Sequence, residues 1–214
     1  MNIQWSWVVD NLDEIAAATL DHLWLTLIAV GVGFVLSLAL GLVAYRWRTL
    51  YGPIAGVAGL LYTIPSLALF AILVPFTGLT VLTAEIGLIS YTLLILVRGV
   101  VSGLDGVPRD VVEAATGMGY TARGRLGRVD LPLAVPVMIA AVRLATVTTI
   151  GLVMVTALIG EGGLGQLMLR GFNRSFPTMV YVGVVMSVVL AVALDLALVG
   201  LQRLLTPWAR VRAA

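Results

Sequence analysis

Five apolar stretches, each long enough to cross a bilayer, dictate what this chain can become. A helix needs roughly 20 residues to span a hydrocarbon core about 30 Å thick. Such runs lie at residues 23–45, 54–76, 85–103, 133–159 and 180–205. Lipid offers no partner to a free backbone N–H or C=O, so each run must close its own hydrogen bonds as a helix, whatever its Gly and Pro content. The expected fold class is therefore an all-α polytopic membrane protein with about five transmembrane helices. Composition agrees: 60% of the 214 residues are hydrophobic, 11% are charged, and the mean hydropathy is +1.07. Those values lie far outside the soluble globular range.

What is missing narrows the chemistry further. There is no cysteine, which removes disulfides, thiolate metal sites and thiol nucleophiles. His22 is the only histidine. It has no second ligand in helical register, so it reads as an ordinary interfacial side chain, and no metal site is expected. All thirteen basic residues are arginine, so the lysine of a phosphate-binding loop or of a Schiff base is absent. An enzyme is not expected, and neither is a nucleotide or other cofactor bound by this chain. The arginines are spread over loops without interleaved aromatics, which argues against nucleic acid as a partner despite a pI near 9.3.

Arginine placement instead encodes orientation. Arg46 and Arg48 follow the first run, Arg109, Arg123, Arg125 and Arg128 lie between the third and fourth, and Arg203, Arg210 and Arg212 close the chain. The opposite side holds only Arg170 and Arg174. Nine against two puts the N-terminus outside and the C-terminus in the cytoplasm. The expected organisation is an extracytoplasmic segment 1–22, a transmembrane domain 23–205 with a long polar loop at 104–132, and a cytoplasmic tail 206–214. The opening segment carries Asp10, Asp13, Glu14 and Asp21 and lacks the basic start of a signal peptide, so it is expected to be retained. Trp5, Trp7, Val8, Leu12 and Ile15 form one apolar face for a helix lying on the outer interface.

The polar loop has internal structure. Asp110 is placed to cap a short helix, with Glu113 three residues later completing a capping box at the positive end of the dipole. Val111, Val112, Ala114, Ala115 and Met118 give that helix a small apolar surface. Gly117 and Gly119 end it, residues 120–128 suit a second basic helix, and Pro132 and Pro136 mark the start of the fourth span. On spacing alone, two readings stand: a compact helical knob that seats in another protein's groove, or a solvated loop whose arginines only set topology.

Glu113-Ala114-Ala115, three residues, Gly119, nine residues, then Val129, Leu131 and Pro132 resembles the EAA loop of bacterial ABC-importer permeases, with valine in place of the usual isoleucine. It falls between the antepenultimate and penultimate spans, as in that family. The resemblance implies a permease subunit that lets its solute through passively. Glu113, Ala114, Ala115, Gly117, Gly119, Leu131 and Pro132 would form the coupling element that enters a separate ATPase. Two ATPase subunits, with their own ATP and Mg, a second permease chain (identical or sister) and an extracytoplasmic solute-binding protein would complete the assembly in the bacterial cytoplasmic (inner) membrane. Residues 62–69, Tyr-Thr-Ile-Pro-Ser-Leu-Ala-Leu, and 159–165, Ile-Gly-Glu-Gly-Gly-Leu-Gly, look like the branch that imports glycine betaine, choline, carnitine and related osmoprotectants. The alternatives are an ABC permease for an amino acid such as methionine, or an ion-coupled secondary transporter, which would be expected to show inverted repeats and paired broken helices.

Inside the spans, Pro65 removes one helix hydrogen bond, and Tyr62, Thr63 and Ser66 place hydroxyls at the resulting kink. This patch either lines the pore or is a packing kink whose hydroxyls bond their own helix. Glu161, Gly162 and Gly163 belong to a glycine-rich break that is either a hinge or re-entrant gate element, or a plain helix cap and loop before a short apolar turn at 166–169. Arg98, Arg143 and Asp195 lie within spans, where unpaired charge costs at least about 2.5 kcal/mol. Asp195 is expected to pair with Arg143 or Arg98 as a bridge between helices.

Overall fold

The computed structural model describes residues 3–208; residues 209–214, including Arg210 and Arg212 and most of the expected tail, lie outside the described residues. Among the described residues the chain is helical throughout, without strands. A six-residue helix α1 (Trp5–Asp10) turns at Asn11 into α2 (Leu12–Arg46). The first long helix thus begins at Leu12 rather than at 23. Ala16, Ala17 and Ala18 are strong helix formers, and Asp13 and Glu14 suit the positive end of the dipole, so residues read as a surface segment extend the span. Of the apolar face predicted for the N-terminus, Trp7 and Val8 pack around buried Ile15, Leu167 and Met179, whereas Trp5 and Leu12 stay exposed.

After a short turn at Arg48–Leu50, the second apolar run becomes two helices, α3 (Tyr51–Thr63) and α4 (Ser66–Thr77), bent by 96°. A kinked single helix was expected. Ile64 instead takes an extended conformation (ψ 127°), which proline favours in the residue before it, and the helix restarts at Ser66. Helix α5 (Val81–Asp105) starts at Thr80, whose side chain accepts from the Thr83 N–H, and a short α6 (Arg109–Gly117) follows.

The fourth span is longer than its sequence suggests. From Ala122 to Ile159 the chain is one helical rod of 38 residues: α7 (Ala122–Arg125), a π-helical turn at Leu126–Asp130, α8 (Leu131–Thr156) and a final tight turn. Pro132 does not start this helix. The π-turn absorbs the proline, with Leu131 N–H donating to Leu126 O, five residues back. The predicted second loop helix and the fourth span are therefore one element. Helices α9 (Leu164–Asn173) and α10 (Pro177–Leu205) complete the chain. Four helices are long and apolar enough to cross a membrane, or five spans if α3 and α4 count as one.

Helix α5 is the centre, flanked by α2 and α8. Close approach comes from small residues, as expected where lipid competes equally for apolar side chains. A Cβ on Gly33 would lie 2.0 Å from Thr92 Oγ1, one on Gly41 2.5 Å from Val100 Cγ1, and one on Gly99 2.2 Å from Ala141 Cβ. These contacts fix α2 and α5 parallel in one register, with α8 antiparallel to both. One apolar cluster (Leu25, Ala29, Phe70, Leu88, Val153) fills the glycine-turn end of the bundle, and another (Val100, Leu104, Ala134, Met138) fills the arginine-rich end. The most apolar stretch of α10 is only 11% buried, which marks this helix as the lipid-facing layer.

Candidate functional site

At the arginine-rich end, α6 stands between the end of α5 and the start of the rod. It begins one residue earlier than predicted, at Arg109 behind Pro108, and no side chain caps it. Asp110 is therefore inside the first turn and the expected capping box with Glu113 is not formed; the acid still complements the dipole there. The C-terminus is closed by a Schellman motif. Gly119 sits at φ +86°, its N–H donates to Thr116 O at 3.0 Å, and Tyr120 N–H donates to Ala115 O at 3.2 Å. Ala115 is buried beneath the helix, while Glu113, Ala114, Gly117 and Met118 face outward. Leu131 and Pro132 are half-buried in the rod, Leu131 packing on the inner apolar cluster. The seven residues thus divide into an exposed rim on α6 and an anchoring part beneath it.

Two ion pairs stiffen this end, and neither was read from the sequence. Arg125 Nε donates to Asp130 Oδ2 at 3.2 Å, and Asp130 is fully buried. Their spacing of five would misalign them on an α-helix; the π-turn brings them onto one face. Arg48 makes a bidentate pair with Asp105, tying the α2–α3 connection to the last residue of α5. A basic residue after one span and an acid at the end of another was the available signal.

The Tyr62, Thr63, Pro65 and Ser66 patch forms the α3–α4 corner. Thr63 Oγ1 donates to Leu60 O at 2.8 Å, so that hydroxyl is satisfied within its own helix. The carbonyl of Ile64, released by the break, accepts from the Tyr91 hydroxyl on α5, and the Tyr62 and Tyr91 rings meet edge-on with centroids 5.8 Å apart. Sequence reasoning passed over Tyr91, although a hydroxyl inside an apolar run demands a partner. Tyr62, Thr63 and Pro65 remain exposed on this chain.

The glycine-rich segment is a tight, packed turn rather than a flexible break. Gly160, Gly162 and Gly163 have φ of +91°, +119° and +47°. A Cβ on Gly162 would lie 2.7 Å from Val153 O, and one on Gly163 2.3 Å from Ala18 O and 2.6 Å from His22 N. Beyond it, the predicted apolar turn is the start of the ten-residue α9. His22 is not interfacial but fully buried under this turn, with Nε2 3.1 Å from Ile150 O and the Gly162 backbone beside the ring. The corner and the glycine turn are not brought together. In the α2–α5 register, Tyr91 is level with residue 32 of α2, against 18–22 for the turn, a separation of roughly 15–20 Å along the axis.

Of the three intramembrane charges, two meet. Arg143 Nε donates to Asp195 Oδ1 at 2.8 Å and its terminal nitrogen to Oδ2 at 2.9 Å, a bidentate link between α8 and α10. Arg98 is exposed on α5 and makes no ion pair among the described residues.

Similarity to known proteins agrees with this geometry. The chain is 39% identical over 206 residues to an osmoprotectant import permease (OsmW) of Salmonella typhimurium, covering 94% of this chain and 96% of that protein. It is 34% identical over 197 residues to a choline transport system permease (OpuBB) of Bacillus subtilis, covering 92% and 91%. The fold matches an inward-facing structure of the MetNI methionine ABC transporter with a TM-score of 0.83 at 23% identity, covering 92% of this chain and 98% of that one. Residues 23–211 match the model of binding-protein-dependent transport system inner membrane components, and the chain belongs to that family as a multi-pass inner-membrane transport subunit.

Proposed function

We propose that this chain is the permease subunit of an ATP-driven importer for a quaternary ammonium osmoprotectant such as glycine betaine, choline or carnitine. The observation that carries the reading is α6: an exposed Glu-Ala-Ala rim, anchored by Ala115, closed by Gly119 and braced against a rod that runs the full height of the bundle. The substrate class follows the relatives named for osmoprotectant and choline transport.

In this reading the arginine-rich end faces the cytoplasm and α6 seats in a cleft of an ATPase subunit, which holds ATP and Mg. Two ATPases and a second permease, identical or sister, complete the membrane unit, and an external binding protein delivers the solute. Closure of the ATPases displaces α6, and the rod carries the displacement to the glycine turn. Residues 62–66 and 161–163 are the candidate path and gate. The deciding experiment is reconstitution with the ATPase and binding protein in liposomes, followed by uptake of labelled choline or betaine with methionine as control. ATP-dependent choline or betaine uptake is expected. Uptake of methionine alone, or uptake driven by an ion gradient without the ATPase, would replace this reading.

A further inference from the structure

A cavity of about 500 Å³ opens at the glycine-turn end, between one face of α2 and the turn leading into α9. Its lining includes Asp21 and Trp24 from α2, Glu161 and Gln166 from the far wall, and Val81 from α5. Glu14 and Arg170 close the rim through an ion pair of 2.5 Å. Asp21 and Glu161 have no such counter-charge among the described residues. Trp24 is 64% exposed and offers its indole to the space.

A second observation lies beneath this cavity. Glu85 is only 7% exposed, and neither carboxylate oxygen has a hydrogen-bond partner. It sits one turn below Val81 on the same face of α5. Side chains on a helix lean toward its N-terminus, which carries the Glu85 carboxylate up toward the turn that lines the cavity. A buried acid without a donor is costly, and a cation entering from above would supply what the chain withholds.

We infer that this cavity is a binding site for the onium head of an organic cation, with Trp24 as its aromatic wall, Asp21 and Glu161 at its mouth and Glu85 at its base. The chemistry selects a bulky, weakly hydrated cation over a metal ion. The volume is that of a small-molecule pocket, and no three acidic or imidazole groups stand close enough to hold a metal among the described residues. An indole face beside carboxylates is the arrangement that favours quaternary ammonium. The assignment rests on the import function proposed above and adds to it a receiving site on the permease itself.

The test is equilibrium binding of labelled choline to the full chain in lipid nanodiscs at low ionic strength, with tetramethylammonium and the uncharged carbon isostere of choline as competitors. Saturable binding displaced by tetramethylammonium and not by the isostere is expected. Trp24→Leu, at an exposed position that folding does not use, should weaken it about tenfold. Glu85→Gln should weaken it by a similar factor or more, with unchanged size-exclusion behaviour. No saturable binding, or binding indifferent to both substitutions, overturns the site. Uptake by the assembled transporter separates the two ideas: choline binding without ATP-driven uptake sinks the import function and keeps the site. Uptake without Trp24- and Glu85-dependent binding does the reverse.

Discussion

Individual backbone positions set the sharpest demands. Gly119 holds a left-handed conformation that costs an L-residue about 1–2 kcal/mol, and nothing within 4 Å would meet its Cβ. Gly119→Val should therefore loosen the end of α6 without disturbing the bundle. In the reconstituted transporter, uptake should fall several-fold more than ATP hydrolysis, and undiminished uptake would count against α6 as the coupling element. Gly163 is the opposite case, strained by both conformation and space. Placing a Cβ 2.3 Å from Ala18 O forces α2 and the turn apart, so Gly163→Ala should cost at least about 1–3 kcal/mol, read as a lower unfolding midpoint in detergent. Tyr91→Phe removes the donor to Ile64 O, an expected loss of about 1–3 kcal/mol for a buried unpaired carbonyl. Protease nicking at the α3–α4 corner should rise in that variant.

Among the elements, the broken second span and the long rod show where local sequence stops being informative. Pro65 announced an interruption, but a 96° turn needs the Tyr91 hydroxyl, 27 residues away, to take up the freed carbonyl, and only the folded chain brings it there. Pro132 looked like a helix start because an α-helix cannot use its missing N–H. A π-turn held by Arg125 and Asp130 is the exception that a periodicity of 3.6 does not reveal. The glycines at 162 and 163 were read as freedom, and their packing against α2 and α8 makes them contacts. By contrast, the number of apolar runs, the Glu-Ala-Ala loop and its glycine stop were plain, since each depends on neighbours a few residues away. The link between α8 and α10 offers a pairwise test. Arg143→Ala or Asp195→Ala should each cost about 2.5 kcal/mol or more, and the exchanged pair Arg143→Asp with Asp195→Arg should recover most of it, as judged by detergent stability. Absence of recovery would assign the two charges separate roles.

At the scale of the whole molecule, the bundle is a centre, a rod and a covering layer. Helix α5 sits in the middle, the rod leans on it through Gly99 and Gly103, and α10 shields the rod from lipid while holding it by one ion pair and by Gln202 to the Pro136 carbonyl. At 38 residues the rod measures about 57 Å, nearly twice the hydrocarbon thickness. Its single irregularity, the π-turn, lies close to one tip. A beam jointed only near its foot swings as one piece, so what happens at the foot and what happens at the head belong to the same stroke. The two faces of the membrane are then served by one clock, and slowing that clock should delay opening and closing alike.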